Sequence, residues 1–88
     1  MVQRVLLSEH ARQQAARRGV PESTVMDVAV TPEQVITVRA GREVRQSRVT
    51  LADGRRHLVR VVADTGGHDI RVVTGYRTSK VAKYWRAP

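Results

Sequence analysis

A chain of 88 residues has room for one hydrophobic core, so a single domain over residues 1–88 is expected. It holds no cysteine, which excludes a disulfide framework and any thiolate metal site; no apolar run approaches the roughly 18 residues of a membrane span or resembles a signal-peptide core, which points to a cytoplasmic protein with no membrane partner. Lys and Arg number 16 against 8 Asp and Glu, a formal charge of +8, and such an excess on so small a body implies an anionic partner, whether nucleic acid, an acidic protein or a membrane surface.

The first element expected is a helix from Ser8 to Arg18. Ser8 has the chemistry of an N-cap, Glu9 puts a negative charge in the first turn, and Gly19 ends the run. Leu7, Ala11 and Ala15 follow helical spacing and face the core, with His10, Gln14 and Arg17 on the shoulder of that stripe. A second helix begins at Pro21 or Glu22, carries Val25, Met26, Val28 and Ala29, and stops at Thr31-Pro32. From Glu33 the hydrophobic period changes to two. Strands are expected at about 34–40, 43–51, 55–63 and 69–77, separated by Gly41-Arg42, Asp53-Gly54 and Gly66-Gly67. A short helix from Ser79, capped by Thr78 or Ser79, ends near Trp85 or Arg86. The fold class is therefore α+β: two N-terminal helices, a four-stranded antiparallel meander sheet and a C-terminal helix.

Turn positions set register, and register sets which side chains share a face. Two-residue turns at Asp53-Gly54 and Gly66-Gly67 place Thr50, His57 and Tyr76 in one cross-strand row, with Arg48, Val59 and Thr74 in the next. The other face then carries Val49, Leu58, Val62 and Val73 together with Arg45, Arg60 and Arg71.

Both tyrosines, the single tryptophan and both lysines lie between Arg71 and Arg86. Their rings anchor the last helix on the sheet, the reading that suits Trp85, or their polar tips work on a substrate, the reading that suits Tyr76 and Lys80. His10 is the preferred general base or acid, because an imidazole changes charge near neutral pH and sits here on a rigid helix; a plain helix-surface histidine fits the same position. His57 beside Tyr76 suits proton transfer, or simple packing. Arg77, Lys80 and the Thr78 hydroxyl at a helix start suit a phosphate, and Arg48 and Arg60 in mid-strand are unfavourable unless an anion arrives. The histidines lack ligand spacing and no acidic cluster accompanies them, so no metal is expected; without a glycine-rich phosphate loop, no cofactor is expected either.

The run Ser8-Glu9-His10-Ala11, the helix end Arg18-Gly19-Val20, and then Val72-Val73-Thr74-Gly75-Tyr76-Arg77-Thr78-Ser79-Lys80 with Lys83-Tyr84 resemble the domain-of-unknown-function 4258 family. That family is regarded as related to the RelE, ParE and BrnT toxins and to toxin ribonucleases such as the colicin tRNases. The resemblance runs from about Leu7 to Trp85 and implies a RelE-like fold. It implies a small bacterial toxin, a metal-independent endoribonuclease held by an acidic antitoxin and working on free or ribosome-bound RNA. His10 matches the histidine of the first helix, and Thr74, Tyr76 and Lys80 match polar positions of the last strand and its exit. Gln14 and Arg45 depart from the pattern, which favours arginine and an aromatic there, and inherit no role. In the implied mechanism His10 takes the proton of a ribose 2′-hydroxyl, which attacks the adjacent phosphate. Arg48 or Arg60 with Lys80 stabilises the added charge, and Tyr76 or His57 protonates the leaving 5′-oxygen. Two alternatives avoid catalysis: a ParE-like inhibitor of a protein such as DNA gyrase, and a nucleic-acid-binding module.

Overall fold

The computed structural model describes residues 4–87. In chain order these form β1 (Val5–Leu7), α1 (Glu9–Arg17), α2 (Glu22–Val30), β2 (Gln34–Arg39), β3 (Arg42–Thr50), β4 (Arg56–Asp64), β5 (Ile70–Thr78) and α3 (Val81–Tyr84). The α+β class holds, but the sheet has five strands in the order β1-β5-β4-β3-β2, and β1 runs parallel to β5. The expected four-stranded antiparallel sheet is thus corrected to a mixed one. Leu7 belongs to the added strand and not to the helix: β1 is only three residues long and ends one residue before the Ser8 cap, so its apolar run reads from sequence as the start of the helical stripe.

Local chemistry accounts for the first helix. The Ser8 hydroxyl accepts the Ala11 amide hydrogen at 3.1 Å, satisfying one of the free donors of the first turn, and Glu9 and Arg17 complement the two ends of the helix dipole. The chain then reverses through Gly19 at φ 72°, where the Arg77 guanidinium packs so close that an added Cβ would stand 3.2 Å from it. Ala11 and Ala15 of α1 and Val25, Val28 and Ala29 of α2 pack with Val20 onto Val59, Val61 and Ala63 of β4 and Ile70 and Val72 of β5. A core of alanine and valine is thin, and it lets α1 and α2 lie close to the strands. Each fully buried valine side chain contributes roughly 1.5–3 kcal/mol over its exposed state.

Both register expectations are corrected. Thr50 pairs with Arg56, not His57, because the β3–β4 connection spans Leu51 to Arg55 and not two residues: Leu51 N–H donates to Arg55 O and Gly54 N–H to Leu51 O, with Gly54 at φ 76°. Tyr76 pairs with Arg60, not His57, and β5 carries a bulge at Val73, since Ala63 opposes Val72 while Val62 opposes Thr74. The extra residue exchanges the two faces partway along β5. Ile70 and Val72 point to the helices, and beyond the bulge it is Thr74, Tyr76 and Thr78 that share the opposite face with Arg60. The C-terminal helix is also shorter than expected. Thr78 is the last residue of β5, its hydroxyl accepts the Lys80 amide hydrogen at 3.1 Å, and α3 is four residues long. Residues 85–87 continue as an extended strap across the face that the helices leave open.

Candidate functional site

The face opposite α1 and α2 carries a polar row running across four strands. Gln34 of β2 pairs with Gln46 of β3, Gln46 with Arg60 of β4, and Arg60 with Tyr76 of β5. Their side chains are joined end to end. Arg60 Nη1 donates to the Tyr76 hydroxyl at 2.7 Å and its Nε to Gln46 Oε1 at 2.9 Å; Gln46 Nε2 donates to Gln34 Oε1 at 2.8 Å. Gln46 is 0 % exposed, a depth that a glutamine amide tolerates only when its hydrogen bonds are made.

The strap closes over this row. Gln34 Nε2 donates to Arg86 O at 2.6 Å and Gln34 Oε1 accepts Arg86 N–H at 3.1 Å, so the Gln34 amide grips the strap as a neighbouring peptide group would; Gln46 Nε2 also reaches Tyr84 O at 3.2 Å. The Tyr84 ring lies over the Arg60 guanidinium at 4.4 Å and the Trp85 ring over Arg48 at 4.0 Å. Trp85 therefore has the anchoring role its position implied, through an arginine face and not through an apolar pocket. Between strap and sheet is a cleft of about 480 Å³ lined by Ile36, Arg60, Lys83, Tyr84, Trp85, Arg86 and Ala87.

Charge in this region is unbalanced. Carboxylates pair with Arg4, Arg12, Arg42 and Arg45 elsewhere on the surface, and Glu33 pairs with Arg48 beneath the Trp85 ring at the margin of the cleft. None of the residues lining the cleft is acidic, and among the described residues Arg60, Lys83 and Arg86 have no carboxylate in ion-pair contact. An anion entering the cleft meets cations whose charge is not already neutralised.

The two mid-strand arginines thus differ. Arg48 is chelated by Glu33, Nη2 to Oε2 at 2.9 Å, and its backbone N–H donates to Glu33 Oε1 at 2.7 Å. Those hydrogen bonds from the Arg48 side chain and backbone hold the Glu33 carboxyl below its ordinary range, so Arg48 is engaged before any ligand arrives. Arg60 spends two donors on neutral oxygens and keeps its net charge.

Tyr76 faces the seam between β5 and α1. The Arg18 guanidinium stands 5.8 Å from its ring centroid, and beside it the Thr74 hydroxyl donates to Gln14 Oε1 at 2.8 Å. His10 is exposed on the same helix strip as Gln14 and Arg18, at i, i+4 and i+8, which sets it about 12 Å of helix rise before Arg18. Lys80 is exposed immediately before α3, two residues past Thr78. His10, Thr74, Tyr76, Thr78 and Lys80 therefore border one side of β5, with Arg60 adjoining them.

His57 and Arg77 stand apart. Both belong to the helix-covered face, so the expected pairing of His57 with Tyr76 is corrected. His57 is 7 % exposed; its Nε2 lies 2.8 Å from Asp53 Oδ2, and Arg77 Nη1 lies 3.6 Å from the same carboxylate oxygen. Hydrogen bonds from His57 and from the Arg55 backbone N–H hold Asp53 below its ordinary range. This cluster ties the β3–β4 connection to β5 and is out of reach of the Tyr76 hydroxyl. Sequence reasoning missed Gln34, Gln46, Glu33 and the lid role of Tyr84. The available signal was weak: Gln34 and Gln46 flank the Gly41 turn, but a mid-strand glutamine looks like a solvated residue until its register is known.

The family described as Domain of unknown function (DUF4258) matches residues 7–83. No curated protein and no solved structure matches the chain.

Proposed function

We propose, from the premise that the chain belongs to the domain-of-unknown-function 4258 family, that it is a small basic toxin of RelE-like kind, a metal-independent endoribonuclease neutralised by an acidic antitoxin. One observation carries the reading: the Tyr76 hydroxyl accepts Arg60 Nη1–H at 2.7 Å beside a cleft lined by cations and aromatic rings and no acid. A guanidinium only donates, so it occupies a lone pair of the phenol and leaves the phenol hydrogen available to a leaving oxygen. The same guanidinium stands where a phosphate gains negative charge as the ribose 2′-hydroxyl attacks. Arg48 is already held by Glu33 and His57 lies on the other face, so Arg60 takes the charge-stabilising role and Tyr76 the acid. Lys80 supplies a further cation to an RNA strand lying along the α1–β5 seam, and His10, about 12 Å of helix rise before Arg18, contacts that strand beyond the reacting phosphate. Positioned acid–base groups are worth about 10²–10⁴-fold each.

Incubation of the purified protein with bacterial RNA in EDTA, followed by end mapping, tests this. The expected result is fragments ending in 2′,3′-cyclic phosphate, abolished in Tyr76→Phe and reduced in His10→Ala. Binding of RNA without new ends, unaltered by Tyr76→Phe, would leave a nucleic-acid-binding module in its place.

A further inference from the structure

We infer that the cleft under the C-terminal strap is a binding subsite for a single-stranded polynucleotide, holding a backbone phosphate and the base beside it. The inference deepens the ribonuclease reading, from which it takes the identity of the strand, and, Arg60 apart, it concerns residues that no part of that reaction requires.

The lining supplies the two kinds of contact that a nucleotide needs. Arg60, Lys83 and Arg86 bring positive charge to a volume of about 480 Å³, and none of them has a carboxylate in ion-pair contact among the described residues. Tyr84 and Trp85 bring flat faces from the same strap. Each ring already lies over a guanidinium, Tyr84 on Arg60 with Lys83 Nζ also 5.3 Å from its centroid, and Trp85 on Arg48, which fixes its plane before a base arrives. Base–aromatic stacking on fixed rings is tolerant of sequence, and cations along the groove follow the backbone. The floor is equally fixed, since Gln34 and Gln46 hold the strap backbone at Arg86 and Tyr84. An acidic peptide would satisfy the cations and leave the ring faces unused; a polynucleotide engages both. The subsite adjoins the reacting groups through Arg60, which lines the cleft and also touches the Tyr76 hydroxyl.

Trp85 is the only tryptophan in the chain and lines the cleft, so its emission reports occupancy directly. The experiment is a fluorescence titration of the full chain with a short oligodeoxynucleotide, which lacks the 2′-hydroxyl and is not cut. Polyglutamate is the competing probe, and Lys83→Ala, Arg86→Ala and the distant Arg71→Ala are compared with wild type. The expected result is saturable change in Trp85 emission with the oligonucleotide and weaker response to polyglutamate. For single strands, the slope of log K against log salt is expected to flatten by about 0.7 for each of Lys83 and Arg86 removed, with no flattening in Arg71→Ala. Equal slopes in all variants, an unchanged emission, or tighter binding of polyglutamate each overturn the subsite. Its failure is separable from that of the ribonuclease reading. RNA cleaved normally by Lys83→Ala and Arg86→Ala with a silent Trp85 removes the subsite alone, and saturable oligonucleotide binding with no RNA cleavage removes the ribonuclease alone.

Discussion

The two faces of the sheet are built by opposite means from the same strands. On β4, Val59, Val61 and Ala63 point to the helices and are 0 % exposed, while the alternate positions Leu58, Arg60 and Val62 point to the strap. The helix-covered face is held by apolar contact, which is non-directional and tolerates small shifts. The strap-covered face is held by oriented hydrogen bonds among an amide row, a guanidinium and a phenol, which tolerate none. The strap-covered face buries aliphatic side chains too, Leu58 fully and Val44 nearly so, but it alternates them with Gln46, Arg60 and Tyr76, so polar and apolar packing share that surface while the helix side of β4 beyond His57 is apolar.

The sharpest break of that comparison is Tyr76→Phe. It removes one oxygen from the strap-covered face, and RNA cleavage is expected to fall by about 10²–10⁴-fold while the lost hydrogen bond to Arg60 costs only about 0.5–1.5 kcal/mol of stability. Val61→Ala is the mirror case. Loss of a fully buried side chain is expected to cost about 2–3 kcal/mol, roughly 10 °C or more in a thermal melt for a domain of this size, while the activity of the folded fraction stays unchanged. Gln46→Leu sharpens the contrast by making the polar face apolar. Arg60 Nε then loses its acceptor and Tyr84 O its donor, and about 1–3 kcal/mol is expected to be lost even though an aliphatic group has been added. Gly19→Ala forces a side chain into positive φ against the Arg77 guanidinium and is expected to cost about 1–2 kcal/mol, read in a denaturant melt.

The smallest effect is one of pH. Glu33 and Asp53 have carboxyls held below their ordinary values by Arg48 and by His57 with the Arg55 amide. A depressed folded value means stability that is fully present above the unfolded value, about 4, and lost as pH falls through the folded one. Melting temperature is therefore expected to hold from neutral pH to about 5 and to drop below about 4, with a shallower drop in Glu33→Gln.

Much of the helical half was legible. The Ser8 cap, the Gly19 stop and the Ala11/Ala15 stripe need only local chemistry, and each stands where the residues placed it. Four of the five strands and their antiparallel order were legible, but β1 and the register were not: Asp53-Gly54 is the same pair of residues in a two-residue turn and in the longer Leu51–Arg55 connection. A one-residue difference there exchanges faces. The Val73 bulge has no signature in a run of β-branched residues. The bulge moved Arg60 from the far side of the sheet to the side of Tyr76 and took His57 away from it, while the longer β3–β4 connection set Gln46 beside Arg60. Tyr76 and Thr74 were recognisable as chemistry, but their partners Arg60 and Gln14 follow only from register and packing.

The row from Gln34 to Tyr76 also has a polarity. An amide side chain reads almost the same either way round, and a hydroxyl rotates freely, so rows of such groups ordinarily hold several proton arrangements at once. Arg60 removes that freedom because it has no lone pair to offer. From its position the orientation spreads outward like a one-way signal: Gln46 must turn its oxygen toward Arg60 and its nitrogen away, and Gln34 must answer with oxygen. Gln34 then has its nitrogen left for Arg86 O. In the other direction the phenol of Tyr76 is left with its hydrogen pointing away from the row. A single residue that cannot flip thus sets where a proton is offered at one end of the row and how a peptide is gripped at the other.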